Sequence, residues 1–424
     1  MILLQLIKRS KNMANKLALM GGQPLFKAED YKAAVWPPVS EKTADHLREL
    51  YFSRKWSFNS EKEQEFEAKY AAYHGAKHGI FMSNGTVTLE CALLSLGVGP
   101  GDEVIVPDLT WIATAMAVKY VGAKCILADI EKTTYCLDPE SFERAITPRT
   151  KAVIPVHLYG VMADMEKILD IANRHGIKVI EDCAHMQGGF WNGRGCGSWG
   201  AVGSFSFQQS KTLAAGESGI CITNDDELAE RIYRAKHIGY SRHEKQGTAT
   251  SKPPQGLTCH NFRGLAMMAQ ILIDQLEDLP NVINRYNEFR DILAARIADI
   301  PDIRIQSKGR LASPQGFYGL QLVFEGCLSE FPLSTILKAM AAEGFTRLAC
   351  TYGPVHKHLL FNMDPKDYAF APGGTPNTEY ISARSAGTLH YSMYYPEMAE
   401  LLSNVLHKIV ENKNELKNYV PESK

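Results

Sequence analysis

The sequence has no pair of cysteines two residues apart, and its nine cysteines are scattered along 424 residues. An odd number without paired spacing argues against a disulfide framework and a zinc site, so no metal is predicted and a reducing cytoplasm is expected. The chain also has almost no net charge, with a formal value of -1 at pH 7, and it contains no long block of lysine and arginine. Nucleic acid is therefore excluded as an expected partner.

Long apolar runs are also missing. The opening stretch MILLQLIKRSKN is apolar only briefly, its charges follow the apolar residues, and no small-residue cleavage site is present. It is too short to cross a bilayer and lacks the order of a signal peptide, so no membrane partner is predicted. We interpret residues 1–35 as a leader or arm, with ordered structure beginning near LALMGGQP.

What the sequence does contain is an alternation of short apolar runs and helical patterns between Glu61 and Thr223. Runs such as EVIVP and KVIED predict strands, and segments such as FEAKYAAYHG and DMEKILDIANRHG predict helices. Crossovers of this length are those that parallel strands require. The expected fold is α/β, with a mostly parallel sheet between helices and ligands at the carboxyl ends of the strands.

The pattern changes beyond this region. Residues 241–255 are polar and contain glycine and proline, which predicts an exposed loop, and one long helical pattern covers about 264–298. From about Ile303 onward, strands such as FYGLQLVF mix with helices such as EMAELLSNVLHKIVE. We predict a large domain over 36–300 that includes the long connecting helix, and a smaller C-terminal α/β domain over 301–424.

Two predicted strand ends carry residues suited to chemistry. In FMSNGTVTLECAL, Asn84, Gly85 and Thr86 stand at the start of a helix, where free N–H groups favour an anion such as phosphate. An ordinary helix cap explains these residues equally well. The strand KVIED ends in two carboxylates, of which Asp182 could hold a heterocyclic nitrogen protonated, although acids at strand ends are often only solvated.

Lys211 is the third feature. It follows the stretch SFSFQQS and precedes the small residues TLAAGESG, with no charged residue beside it. Such a setting can desolvate an amine and lower its pKa, which suits a Schiff-base lysine, although a lone lysine is usually a surface residue. A phosphate cradle, a carboxylate for a ring nitrogen and this lysine, in that order on a parallel sheet, are what pyridoxal phosphate requires.

Long stretches of the chain resemble the sugar aminotransferases of the DegT/DnrJ/EryC1/StrS family. The matching segments include LALMGGQP, GVGPGDEVIVPDLTWIATAMAV, VIEDCAHMQGGFWNGRGCGSWGAVGSFSFQQSKTLAAGESG and HNFRGLAMMAQILIDQL. The resemblance implies a pyridoxal phosphate enzyme of fold type I, whose large domain holds a mostly parallel sheet of the seven-stranded type. It also implies a homodimer whose subunits share their active sites.

The resemblance assigns roles to individual residues. Lys211 would form the Schiff base with the cofactor and shuttle a proton, and Asp182 would pair with the pyridine nitrogen. Trp111, in DLTWIATA, would stack on the face of the ring. Three residues would bind the phosphate: Gly85 and Thr86 through their amides, and Ser206 through its hydroxyl.

Two positions depart from the family pattern. The family often has glutamine near the ring hydroxyl of the cofactor, three residues after the aspartate, and here that residue is His185. Histidine occurs there in relatives that resemble aminohydroxybenzoate synthases, and it can still donate a hydrogen bond. In the family an asparagine of the partner subunit also reaches the phosphate, and Asn261 in HNFRG matches it, although YNYRM is more frequent.

Three residues are candidates for contact with the substrate, namely Tyr159, Gln208 and His356. His356, in YGPVHKHLLF, belongs to a segment that lines the substrate pocket in relatives, but a solvated loop explains it as well. Tyr159 and Gln208 lie next to the sheet, where such side chains are more often packing or capping groups. His157, on an apolar strand, is interpreted as a core histidine.

We expect this chain to move an amino group from L-glutamate or L-glutamine to a keto sugar or keto-cyclitol, such as the inososes of aminoglycoside pathways. One alternative is a dehydratase or an aromatising synthase of the same family. Lys211 argues against the 3-dehydratases, which carry histidine there, whereas His185 leaves the aromatising branch open. Another alternative is a regulator that binds pyridoxal phosphate or a phosphorylated metabolite without catalysis.

Overall fold

A computed structural model describes residues 16–57, 60–309 and 313–420. Residues 1–15 of the predicted leader lie outside these ranges. The strands of the described ranges are β1 His78–Met82, β2 Glu103–Pro107, β3 Lys124–Ala128, β4 Thr150–Val153, β5 Lys178–Asp182, β6 Phe190–Trp191, β7 Arg194–Gly195, β8 Val202–Ser206, β9 Gly219–Thr223, β10 Ile303–Ile305, β11 Gly319–Phe324, β12 Ala349–Cys350, β13 Tyr368–Phe370 and β14 Ser385–Leu389.

The α-helices are α1 Glu41–Ser53, α2 Glu61–Tyr73, α3 Gly85–Ser95, α4 Ala113–Tyr120, α5 Pro139–Arg144, α6 Met165–His175, α7 Asp226–Lys236, α8 Ala266–Leu276, α9 Leu279–Arg296, α10 Leu333–Ala342, α11 Pro376–Arg384 and α12 Ala399–Glu411. Within the described ranges, no helix combines the length and the apolar character that crossing a membrane would need.

The largest sheet has the strand order β1-β9-β8-β5-β4-β2-β3-β13. Its strands run parallel from β8 to β13, whereas β9 is antiparallel to both β1 and β8. The predicted α/β fold with a mostly parallel sheet is therefore confirmed. The sheet has eight strands rather than seven because β13, from the C-terminal region, adds to the edge beside β3.

Apolar residues of the central strands point alternately to the two faces of this sheet. In β2, Val104 and Val106 pack into a cluster with α3, α4 and α7, whereas Ile105 packs into another cluster with α2, α6 and α8. Successive side chains of a strand leave on opposite faces, so a continuous apolar run is what a strand covered on both sides needs. This burial explains the apolar runs in the sequence.

A second, antiparallel sheet, with the order β10-β11-β14-β12, lies in the C-terminal region. The prediction of one long helix before this sheet is wrong, because the structure has two helices there, α8 and α9, separated at residues 277–278. Pro280 stands in the first turn of α9. A proline lacks the N–H that a continuous helix would need at this position, so a new helix starts there.

A buried ion pair ties the N-terminal arm to the C-terminal region. Lys408 Nζ of α12 lies 2.8 Å from a carboxylate oxygen of Glu343, and their side chains are 1% and 0% exposed. The same carboxylate accepts hydrogen bonds from the backbone N–H groups of Ala18 and Leu25. The buried carboxylate of Glu343 thus holds two points of the arm against the C-terminal helices α10 and α12.

Replacing Lys408 by methionine should lower the free energy of unfolding by ~3 kcal/mol, because the Glu343 carboxylate would remain buried without its cation. Urea unfolding followed by circular dichroism measures this change. Lys69→Met is the matched control, since the Lys69–Glu65 pair is 50% and 34% exposed. The control should lose less than ~1 kcal/mol, and an equal loss in both variants would contradict the proposed role of burial.

Candidate active site

A cavity of about 810 Å³ opens at the carboxyl ends of β5 and β8, beside the first turn of α3. This is the edge at which ligands were predicted to gather. Eight of the predicted site residues line it, and they come from four separate segments of the chain: Gly85, Thr86, Trp111, Asp182, His185, Ser206, Gln208 and Lys211. Tyr159, Asn261 and His356 are not among its lining residues.

Lys211 follows β8 in an irregular loop, and its N–H donates to the carbonyl of Gln208. Its ammonium nitrogen lies 4.5 Å from the centre of the Tyr318 ring. Burial lowers the pKa of Lys211 to about 8, and the nearby charge of Asp182 opposes this shift only in part. A substantial fraction of the amine is therefore unprotonated near neutral pH, which is the form that attacks a carbonyl carbon.

Asp182 is the last residue of β5 and is 5% exposed. One carboxylate oxygen accepts a hydrogen bond from Thr114 Oγ1 at 2.8 Å, and the other accepts one from the N–H of Ala184 at 3.1 Å. Burial raises the pKa of Asp182, while these two hydrogen bonds and Lys211 act against it. A protonated ring nitrogen in the cavity would supply the positive charge that such a buried carboxylate favours.

The first turn of α3 lies directly against the end of β8. A Cβ atom at Gly85 would lie 2.5 Å from the Cβ of Ser206, so only glycine fits there. The Asn84 side chain caps the helix and accepts hydrogen bonds from the amides of Thr86 and Val87. The cap interpretation thus holds for Asn84, and the Thr86 amide already has an acceptor. Close packing brings the Ser206 hydroxyl to the helix N-terminus, where an anion is stabilised.

His185 lies between two aromatic rings. Its ring centre is 4.1 Å from that of Tyr318 and 5.8 Å from that of Tyr159, with nearly parallel planes. Burial and the charge of Lys211 place the pKa of His185 well below its usual value, so the ring is neutral. Its Nδ1 accepts a hydrogen bond from the N–H of Tyr159 at 3.3 Å, which assigns the proton to Nε2 and leaves a donor free to face a ligand.

Two candidates for substrate contact already have partners in the protein. The Tyr159 hydroxyl lies 2.6 Å from Thr351 Oγ1 and accepts a hydrogen bond from the N–H of Tyr352. Gln208 lines the cavity, but its Oε1 accepts hydrogen bonds from the N–H and hydroxyl of Ser210. These contacts favour the packing and capping alternatives.

His356 contacts the end of β2 rather than the cavity. Its Nδ1 lies 2.8 Å from Oδ2 of the buried Asp108, and its backbone N–H donates to Oδ1 of the same residue. Asn261 is exposed and pairs with His237 in a short antiparallel bridge. Its exposure leaves it available to a partner subunit, and its contact with a phosphate stays a prediction.

A buried group of His157, Glu181 and Cys183 has donor atoms close enough to hold a metal. The Glu181 carboxylate, however, accepts three backbone N–H groups between residues 197 and 200 and lies 3.0 Å from His157 Nε2. These contacts use its oxygens to hold a loop. His157 is fully buried, in agreement with its interpretation as a core histidine.

Thr114, Tyr318 and Tyr352 are among the cavity residues that the sequence analysis missed. Thr114 lies three residues after Trp111, one helical turn away, so it could have been found from the spacing. Tyr318 and Tyr352 come from the C-terminal region, and no local pattern distinguishes them from core aromatics. Trp111 itself is 50% exposed, and its ring centre lies 5.8 Å from that of Tyr352.

The parallel sheet is covered by helices on both faces. At one edge it brings together a buried lysine of lowered pKa, a buried carboxylate at a strand end, and a helix N-terminus that begins with glycine. This arrangement is that of a pyridoxal phosphate-dependent aminotransferase of fold type I. The chain belongs to the DegT/DnrJ/EryC1/StrS aminotransferase family, whose sequence profile matches residues 38–407. The prediction of an aminotransferase is therefore confirmed.

Individual relatives are similar over most of their length. The chain is 42% identical over 424 residues to the L-glutamine:2-deoxy-scyllo-inosose aminotransferase of Micromonospora echinospora, covering 95% of this chain and 99% of that protein. It is 34% identical over 366 residues to the L-glutamine:scyllo-inosose aminotransferase of Streptomyces griseus, covering 82% and 84%. The crystal structure of 3-amino-5-hydroxybenzoic acid synthase superimposes with a TM-score of 0.79 at 27% identity, covering 89% and 99%.

The lowered pKa of Lys211 predicts how this amine reacts in protein without cofactor. Because only the unprotonated amine is acylated, its rate of labelling should rise with pH and reach half its maximum near pH 8. Quantitative mass spectrometry of the peptide that contains Lys211 measures this rate. In Asp182→Asn the midpoint should fall further, because the carboxylate that favours the ammonium form is lost. A midpoint near the ordinary lysine value of about 10.4 would contradict the site geometry.

Proposed function

We propose that this chain transfers the amino group of L-glutamine to the ketone of a scyllo-inosose-type cyclitol, with pyridoxal phosphate bound at Lys211. The observation that carries the proposal is the cavity in which Lys211, Asp182 and the Gly85–Ser206 contact meet. The donor and the acceptor class are inferred from relatives with 34% and 42% identity, whose names specify L-glutamine and an inosose.

The residues of the cavity fit pyridoxal phosphate. Gly85 packs so closely against Ser206 that any side chain there would collide with it, and this contact brings the Ser206 hydroxyl to the start of α3. Asp182 would hold the ring nitrogen, His185 would donate from Nε2 to the ring hydroxyl, and Trp111 offers an exposed aromatic face. When bound, the cofactor supplies an electron sink that stabilises negative charge on the carbon next to the migrating nitrogen.

Lys211 and Asp182 have complementary roles in this proposal. With a pKa near 8, the Lys211 amine can both accept and return a proton at Nζ during the reaction. Beside a protonated ring nitrogen Asp182 would be ionised, because that positive charge would add to the hydrogen bonds from Thr114 and Ala184, which oppose the rise in pKa that burial causes. The aromatic residues Tyr318 and Tyr352 restrict water around the amine, which preserves its lowered pKa.

The charge of the cavity favours an uncharged acceptor. Among the described residues that line it, Lys211 is the only lysine or arginine, whereas Glu90, Asp182 and Glu217 are acidic. A nucleotide-linked sugar would bring a diphosphate with two negative charges into this surrounding, without cations of this subunit to bind it. A free cyclitol has only hydroxyl groups and a ketone, so it enters without that cost.

We further propose that the active protein is a homodimer in which Asn261 of the partner subunit contacts the phosphate. Asn261 is exposed in the single chain, as this arrangement requires. The proposal predicts that an isolated subunit is inactive.

The proposed reaction is tested by loading the protein with pyridoxal phosphate and adding L-glutamine. The cofactor should be converted to its pyridoxamine form, and 2-deoxy-scyllo-inosose or scyllo-inosose should restore it with formation of an aminocyclitol detectable by mass spectrometry. L-Glutamate in place of L-glutamine tests the choice of donor. If neither donor converts the cofactor, the proposed function is wrong.

A second candidate is the aromatising synthase, which the structural similarity to 3-amino-5-hydroxybenzoic acid synthase supports. An aromatic product with its own ultraviolet band, rather than an aminocyclitol, would decide for it.

A third candidate is a regulator without catalytic activity. Such a protein should keep its ligand-dependent role in Lys211→Ala, whereas an aminotransferase should lose turnover.

Ser206→Ala tests the phosphate site. The hydroxyl would donate a hydrogen bond to the phosphate, and its contact within the protein is a long hydrogen bond, at 3.4 Å, from the N–H of Gln208. This variant should therefore bind pyridoxal phosphate about ten-fold more weakly. Its affinity for pyridoxal, which lacks the phosphate, should stay that of the wild type. Both constants can be measured by absorbance titration, and an equal loss for the two ligands would contradict this placement of the phosphate.

A further inference from the structure

The two peptide groups on either side of the Lys211 Cα are each held by a ring nitrogen from a distant part of the chain. Trp36, the residue directly after the N-terminal arm, donates from Nε1 to the carbonyl of Lys211 at 2.8 Å. His390 Nε2, directly after β14, lies 2.8 Å from the carbonyl of Ser210. Since a carbonyl oxygen can only accept, the proton of His390 is on Nε2.

His390 is fixed in this donor state by its surroundings. It is fully buried, and burial lowers its pKa to about 4, so the ring is neutral and has a single N–H. Its other nitrogen, Nδ1, accepts a hydrogen bond from the buried Tyr286 hydroxyl at 3.1 Å. The rings of Trp36 and His390 also contact each other edge to face, with centres 4.7 Å apart. The two donors therefore form one packed unit.

Farther along the loop that carries Lys211, the side chains of Gln187 and of Gln275 in α8 hold the backbone of Leu213 and Ala214. Apart from the N–H of Lys211, which donates to Gln208, the bonds from Trp36 and His390 are what orients the peptides at this residue. Rotation of either peptide would swing the side chain and move its amine away from the reacting carbon. Displacements of about 1 Å can cost two orders of magnitude in rate, so such support has a catalytic consequence.

We propose that Trp36 and His390 are positioning residues for Lys211, through which the segments directly after the N-terminal arm and after β14 set the orientation of the reactive amine. The inference rests on the proposed role of Lys211 as the covalent anchor of pyridoxal phosphate. It assigns to the junction between the arm and the large domain a function in the active site of its own subunit, and not only in packing.

The test measures how fast Lys211 bonds to pyridoxal phosphate in cofactor-free protein. Borohydride stops the reaction at set times, and mass spectrometry quantifies the labelled Lys211 peptide. Trp36→Phe keeps a ring but loses the N–H, and His390→Leu loses the donor, so each should slow bond formation about ten-fold. His390→Gln retains a donor near the Nε2 position and should restore most of the rate.

Trp56→Phe is the matched control, because Trp56 Nε1 also donates to a backbone carbonyl, that of Tyr51, away from the cavity. It should react at the wild-type rate. Trp36 is half-buried, so Trp36→Phe decides the question even if His390→Leu does not fold.

A second measurement separates positioning from a general structural role. In a Lys211→Ala background, pyridoxal phosphate binds without the covalent bond, and adding Trp36→Phe should leave its affinity unchanged. A further loss of affinity in this background, or a wild-type rate in Trp36→Phe, would overturn the inference while the proposed function stands. If the wild-type protein itself forms no bond at Lys211, the proposed function and this inference both fail.

Discussion

Keeping the Lys211 amine out of bulk water is the constraint on which the rest of the site depends. An ammonium group in water has a pKa too high for a nucleophile at neutral pH, and burial is what lowers it here to about 8. Burial of a charge is costly unless compensated, and the structure compensates it in two ways. Asp182 provides a countercharge, and the face of Tyr318 lies 4.5 Å from the amine.

This constraint explains why the cavity is built from so many separate segments. The parallel sheet can bring Asp182 and Ser206 to one edge, but the sheet alone leaves that edge open to solvent. Tyr318 and Tyr352 from the C-terminal region line the cavity there, and Trp36, directly after the arm, bonds to the Lys211 loop. The buried ion pair between Lys408 and Glu343 holds the arm against helices α10 and α12. Packing far from the cavity thus supports the loop that carries Lys211.

Much of the site could be predicted because parallel strands share the edge at which they end. Asp182, Ser206 and the Gly85 turn follow recognisable strands, so their meeting follows from topology. His356 could not be placed by such reasoning, since its partner Asp108 ends another strand and draws it away from the cavity. Tyr159 was also placed by its partners, Thr351 and Tyr352, which lie nearly two hundred residues away. Contacts over such separations leave no periodic signal in a sequence.

By itself, the sequence determined the α/β fold and the family, and it predicted that Lys211 and Asp182 share one site, because these inferences depend on local periodicity and on motifs contiguous in the chain. Only the tertiary structure decided the protonation of His185, the helix break before Pro280 and the donors that hold the Lys211 peptides. Protonation depends on burial and on hydrogen-bond partners, and both are properties of the folded molecule. The chain specifies which groups can react, and the packing of its distant ends specifies how they are oriented.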